Sequence, residues 1–99
     1  MAKITWTSEA NNWLKKIYDY IAEDNPKAAA NVVNGIYKKS QILKNNPNIG
    51  YIYEHESSGE IRILLYGHYR ITYLKNSDEE VVILGVFHGA LLIENYIKI

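Results

Sequence analysis

Cysteine is missing altogether from the 99 residues, which excludes disulfides and thiolate metal sites and fits a chain kept in a reducing cytoplasm. Proline occurs only at Pro26 and Pro47, and no glycine-, serine- or proline-rich tract marks a linker or a disordered segment. One folded domain over residues 1–99 is therefore expected. A long hydrophobic run is also lacking. The longest apolar stretch, Val81 to Phe87, is far below the roughly 18 residues that a membrane span needs, and Met1 to Trp6 has no apolar signal core. A soluble cytoplasmic protein without membrane contact is expected. Nor is there an excess of charge of one sign, because eleven basic and eleven acidic side chains cancel. A protein that grips many phosphates usually carries a positive excess, since each neutralised phosphate contributes through counterion release. Strong non-specific nucleic-acid binding and direct sequence-specific DNA binding are therefore not expected.

The charges that are present divide unevenly. Residues 1–47 hold seven lysines against Glu9, Asp19, Glu23 and Asp24, a net of +3, and residues 48–99 hold Arg62, Arg70, Lys75 and Lys98 against seven acids, a net of −3. Lys15-Lys16 and Lys38-Lys39 read as the solvated faces of helices, with contact to a target as the alternative. Nine tyrosines are many for this length. A phenol packs its ring and needs a partner for its hydroxyl, so they imply a tyrosine-edged core or a binding surface.

Periodicity places the elements. Lys3 to Thr7 alternates as a half-buried strand. Ser8 can cap a helix from about Glu9 to Glu23, with Ala10, Trp13, Leu14, Ile17, Tyr18 and Ile21 on one face. Asn25-Pro26 starts a second helix whose stripe is Ala29, Val32, Val33, Ile36, Tyr37, Ser40 and Leu43, and Asn45-Asn46-Pro47 ends it. So short a turn makes the pair an antiparallel hairpin. The period then changes to that of strands: Tyr51 to Tyr53, Glu60 to Tyr66, Tyr69 to Lys75 and Val81 to His88. Polar turns are expected at Glu54 to Gly59 and Asn76 to Glu79, a tight Gly67-His68 turn between the middle strands, and a short helix over Ala90 to Tyr96. The result is an α+β two-layer sandwich, an N-terminal strand and α-helical hairpin packed on a mainly antiparallel sheet of four or five strands, with the other sheet face open.

Four pieces of wording, in this order, resemble the RelE/ParE toxin superfamily over nearly the whole chain. They are Pro26-Lys27-Ala28-Ala29 opening the second helix, Leu43 with Asn46-Pro47 and Gly50 closing it, Ile61-Arg62 leading to Tyr69-Arg70-Ile71-Thr72-Tyr73, and Val82 to Phe87 ending in His88-Gly89. The resemblance implies the toxin half of a type II toxin-antitoxin pair of the plasmid-stabilisation kind. Its partner would be a cognate antitoxin, whose segment would lie as a helix or strand in the groove between hairpin and sheet. One fold carries two activities in this superfamily: RelE-like members cut messenger RNA in the ribosomal A site, and ParE-like members inhibit DNA gyrase.

Metal-independent RNA cleavage needs help in deprotonating the 2′-hydroxyl, a cation beside the phosphate, and an acid for the leaving oxygen. The resemblance places Arg70 where RelE-like nucleases carry a sheet arginine, with Arg62 as a second cation, His88 as acid or base, and Tyr96 where a C-terminal tyrosine would lie. Arg62 and Arg70 have a plainer reading as partners of Glu54, Glu56 or Glu60. The basic residues that such nucleases carry after the last strand are replaced by Ala90-Leu91-Leu92. With the neutral overall charge, this favours the ParE-like, gyrase-directed branch, which needs no catalytic residues of its own. His55 and His68 read as solvent-exposed turn residues, neither lying at ligand spacing with another His, so no metal and no cofactor are expected.

Overall fold

The structure, a computed structural model, describes residues 1–89, so the helix expected over Ala90 to Tyr96 lies outside the described residues. The elements run β1 (Lys3–Trp6), α1 (Ser8–Ala22), α2 (Pro26–Gln41), a 3-10 turn (Ile42–Lys44), β2 (Tyr51–Glu56), β3 (Gly59–Tyr66), β4 (Tyr69–Ser77) and β5 (Glu80–His88). Their order in the sheet is β1-β5-β4-β3-β2. Only β1 runs parallel to its neighbour, pairing Lys3 to Trp6 with Glu80 to Ile83, because the chain leaves β1 through both helices before three antiparallel strands bring it back. The expected α+β sandwich is the architecture that forms.

Local chemistry explains the boundaries, and it corrects some of them. The α1 cap is Thr7, one residue before the expected Ser8: its Oγ1 accepts from Ala10 N at 3.0 Å and donates to Ile83 O at 3.1 Å. Thr7 lies where β1 ends beside β5, so its hydroxyl serves cap and sheet together, and the helix starts one residue earlier. Asn25 caps α2 as expected, accepting from Ala28 N at 3.0 Å, with Pro26 in the first turn. The segment after Tyr53 is not all loop. Pairing of Glu54, His55 and Glu56 with Ile61, Glu60 and Gly59 extends β2, and the turn shrinks to Ser57-Ser58. A register shift between Ile52 and Glu54 disturbs the alternation there, and the residues beyond it are polar, which is why they read as a turn. Gly67, at φ 57°, supplies the left-handed residue of the β3–β4 turn.

Both helices cover one sheet face. Ala10, Ile36 and Leu43 close over Ile71, Tyr73, Val81, Ile83 and Val86, all buried, and Trp6 of β1 stacks with Tyr37 of α2 at 6.1 Å. The opposite face was expected to be open, but its centre is buried as well: Ile61, Ile63, Thr72 and Phe87 are each at most 1% exposed. Phe87 accounts for part of this. Its ring lies over Gly85, where a Cβ would meet it at 2.5 Å, and Trp13 packs edge-on against it at 4.9 Å. Pairing with β1 stops at Ile83, which leaves the later half of β5 within reach of Trp13 from α1.

Candidate functional site

The tyrosines divide between core and surface. Tyr73 is fully buried, while Tyr20 is 78% exposed and Tyr37 and Tyr51 are each 50% exposed. The core reading holds for Tyr73, and Tyr20, Tyr37 and Tyr51 lie on the surface. His55 and His68 are solvent-exposed as expected.

At the end of the sheet where β3 begins, the cations are occupied by the fold. Arg62 Nε donates to Glu60 Oε1 at 3.0 Å, and its Nη1 donates to the carbonyls of Asn48 at 2.9 Å and Gly50 at 2.7 Å. Lys75 Nζ donates to Asn48 Oδ1 at 2.6 Å and lies 3.6 Å from Glu60 and 3.3 Å from Asp78. Tyr73 completes the clamp, accepting from Gly50 N at 2.9 Å and donating to Pro47 O at 2.8 Å. The fork of Arg62 thus ties the segment from Asn48 to Gly50 to the sheet, the pairing with Glu60 being one of the plainer roles considered for it. Glu60 is held below the ordinary carboxylate range, first by the hydrogen bond from Arg62. Burial pushes the Tyr73 phenol up.

The other nuclease candidates lie at the opposite end. Arg70 pairs across the sheet with Leu65 and Phe87, whereas Arg62 pairs with Tyr73, so the two arginines project from opposite faces. Arg70 and Tyr73 are three residue steps apart on β4, about 10 Å along the strand. Arg70 Nη2 makes long contacts of 3.4 Å to the carbonyls of His88 and Gly89. His88 is exposed, with the Tyr69 ring edge-on at 5.8 Å and His68 at 6.2 Å. Arg70 and His88 thus lie at one sheet end, but by the same parity the His88 side chain shares the face of Tyr69 and projects opposite to Arg70; Arg62 is set apart from both, and Tyr96 lies outside the described residues. Among the described residues no group of three or more histidine and acidic side chains gathers at metal-ligand spacing.

Beside His88 lies a cavity of about 560 Å³ between α1 and the ends of β4 and β5, lined by Trp13, Lys16, Ile17, Tyr20, Tyr69, Val86 and His88. Trp13, Lys16, Ile17 and Tyr20 stand at i, i+3, i+4 and i+7, one stripe of α1. Sequence reasoning expected a groove between hairpin and sheet but not its lining, since it placed Trp13 and Ile17 in the core and Lys16 on a solvated face. The signal was there in Tyr20, an aromatic that continues the stripe past the point where the sheet covers it. Lys16 Nζ sits 4.8 Å from the centre of the Trp13 ring, a cation–π contact at the groove wall.

A helical hairpin on a five-stranded sheet, with an aromatic groove between the layers, has the architecture of the RelE/ParE toxin superfamily. The family model for the ParE toxin of the type II toxin-antitoxin system parDE matches residues 4–92, and the chain belongs to that family. Two solved structures agree. A chain of the chromosomal ParDE toxin-antitoxin system from P. aeruginosa superposes with a TM-score of 0.72 at 25% identity, covering 89% of this chain and 96% of that one. A chain of the RelBE2 toxin-antitoxin complex from Mycobacterium tuberculosis superposes with a TM-score of 0.58 at 26% identity, covering 88% and 96%. No curated protein sequence is a significant match. The protein is thus a ParE-type toxin of a type II toxin-antitoxin system. Among the described residues no helix is long and apolar enough to cross a membrane.

Proposed function

We propose that this toxin arrests growth by binding DNA gyrase and trapping a cleaved-DNA intermediate, and that a cognate antitoxin binds it and holds it inactive. The observation that carries the reading is the separation of the candidate cations. Arg62 is engaged by Glu60, Asn48 and Gly50 on one sheet face, and Arg70 projects from the other, so the two do not converge on one phosphate. What the surface offers instead is apolar and aromatic, which suits a protein target. A toxin that acts by binding needs no general acid or base. Antitoxin binding is supported by the neighbours, which come from a ParDE system and from a RelBE2 complex.

Inducible expression in a bacterial host tests this, with growth, the DNA-damage response and message cleavage followed together. Arrest with damage signalling and intact messages is expected. Arg70 reaches the His88 backbone carbonyl at the same sheet end, and this speaks for a second reading, ribosome-dependent cleavage of messenger RNA. Cuts at A-site codons that disappear in R70A and H88A would establish it in place of the first.

A further inference from the structure

We propose that His68 and His88 form a two-imidazole site for a divalent transition-metal ion of the zinc, nickel or copper kind. The site goes beyond the reading above and depends on neither gyrase nor an antitoxin.

The two histidines are distant in the chain, and the fold makes them neighbours. His88 ends β5 and pairs with Tyr69, the residue after His68, and Gly89 N donates to His68 O at 2.8 Å. The β3–β4 turn and the end of β5 are thus tied through the backbone, and the two rings stand 6.2 Å apart between centres, tilted by 31°. An imidazole nitrogen lies about 2.0–2.1 Å from zinc, which puts each ring centre about 3 Å from the ion and the two centres about 5–6 Å apart across it. Closing the pair onto one ion therefore takes a movement of about 1 Å. His68 can supply it by side-chain rotation alone, since it stands on an exposed turn. The Tyr69 ring, edge-on to His88 at 5.8 Å, steadies the other ligand.

A ligating imidazole gives one nitrogen to the metal and keeps the other for a hydrogen bond, so the site asks one nitrogen of each ring and leaves the other contacts of His88 in place. Lys16, which shares the groove lining with His88, has its ammonium 4.8 Å from the centre of the Trp13 ring. The donor type selects the ion: imidazole suits zinc, nickel and copper, whereas magnesium and calcium take oxygen ligands. Among the described residues no third histidine or acid joins the pair, so the remaining coordination positions fall to water. That makes an open site, unlike the closed four-ligand shell of a structural zinc.

His55 is the internal control. It is exposed on β2, where its strand partner is Glu60, at the opposite end of β3 from His68.

The test is calorimetric titration of the full-length chain, free of any purification tag, with zinc, nickel and copper chlorides and separately with magnesium chloride. Saturable binding of one ion per chain is expected, tightest for copper, with none for magnesium. Zinc should shift the imidazole NMR signals of His68 and His88 and leave those of His55 in place. H68N and H88N should each weaken binding more than about tenfold, a loss at least as large as that from removing an outer-shell partner of a metal site, and H55N should not. His68 is exposed, so H68N keeps the circular dichroism of the parent. Saturating zinc should raise the melting temperature of the parent and not that of H68N, because an ion held by the folded chain alone stabilises it.

The absence of saturable binding for all three transition ions overturns the proposal. So does binding that survives H68N or H88N, or a loss in H55N equal to theirs. These readouts do not depend on toxicity. Failure to bind the ion with growth arrest intact removes this site alone, whereas normal ion binding in a chain that never arrests growth removes the proposed function alone.

Discussion

Where β3 begins and β4 finishes, Arg62, Lys75 and Tyr73 turn their polar groups inward onto the segment from Pro47 to Asn48 and Gly50. At the other end of the same sheet, Lys16, Tyr20 and His88 border a cavity, and Tyr20 and His88 are exposed to solvent. Both ends hold a cation, a tyrosine and the end of a strand, so composition does not separate them. What differs is the company. A carboxylate and two carbonyls surround Arg62, while among the described residues the lining of the groove supplies no carboxylate to Lys16. The first end holds the fold, and the second is the one that the proposed binding role would use. Substitutions at the first should therefore act on stability, and those at the second on binding.

The largest stability effect is expected for Y73F. It removes the acceptor of the buried Gly50 N–H and the donor to Pro47 O, and stranded buried groups of this kind cost about 1–3 kcal/mol. The variant should denature at lower urea concentration with an unchanged slope. A pH series sharpens the test. Burial raises the Tyr73 pKa, so the folded state holds this proton more tightly than the unfolded chain does. The associated stability is complete below the ordinary phenol range, near pH 10, and is lost as pH rises through the folded value. The gap between parent and Y73F should therefore be constant at neutral pH and narrow in alkali.

A smaller loss, about 1–2 kcal/mol, is expected for R62K, because an ammonium cannot reproduce the fork that reaches Glu60 and two carbonyls at once. Its pH dependence runs the opposite way. Glu60 has its pKa lowered first by the Arg62 hydrogen bond, so this contribution is present above the ordinary carboxylate range and is lost as pH falls through the folded value. Parent and R62K should converge in acid. A gap that persists unchanged at low pH would show that the carbonyl contacts, and not the Glu60 pair, carry the effect.

Gly35 of α2 belongs to neither end and packs against Tyr66 at the finish of β3. It lets α2 approach the Tyr66 hydroxyl so closely that a Cβ there would clash with it. The obstructing atom is the far end of a side chain that can swing aside, and alanine gains about 1 kcal/mol of helix propensity over glycine. G35A is therefore expected to change stability by less than about 1 kcal/mol, and G35A/Y66F to be more stable than G35A. Thermal melts of the three proteins decide it.

Much of this arrangement was legible in the sequence, and the part that was not has a physical cause. The stripes of α1 and α2 and the alternation in β3 and β4 gave the layers, because burial of one face imposes the period. Thr7 was overlooked as the cap because Thr7 and Ser8 are equally suited to it, and only the carbonyl of Ile83, 76 residues away, favours the first. The parallel pairing of β1 with β5 is likewise a long-range fact with no local signal. For the site, Arg62, Arg70 and His88 were named as candidates without a relative placement, and strand parity was needed to show that Arg62 and Arg70 project from opposite faces. A groove between hairpin and sheet was expected, but its lining was not legible, because helical periodicity says which face is apolar and not where along that face the sheet stops covering it.

Tyr20 gives the smallest stability effect and the sharpest test of the comparison. It is 78% exposed and lies near the end of α1, so Y20A removes little buried area and replaces an aromatic with a better helix former. The denaturation midpoint should stay within about 0.5 kcal/mol of the parent or rise slightly. If the groove end exists to be covered, the same variant should escape neutralisation, so that co-expression with the cognate antitoxin rescues the parent toxin but rescues Y20A poorly. Full rescue together with an unchanged midpoint would mean that Tyr20 serves neither fold nor partner, and the division between a structural end and a binding end would then have to be redrawn around Trp13, whose ring is tied to Phe87 as well as to Lys16.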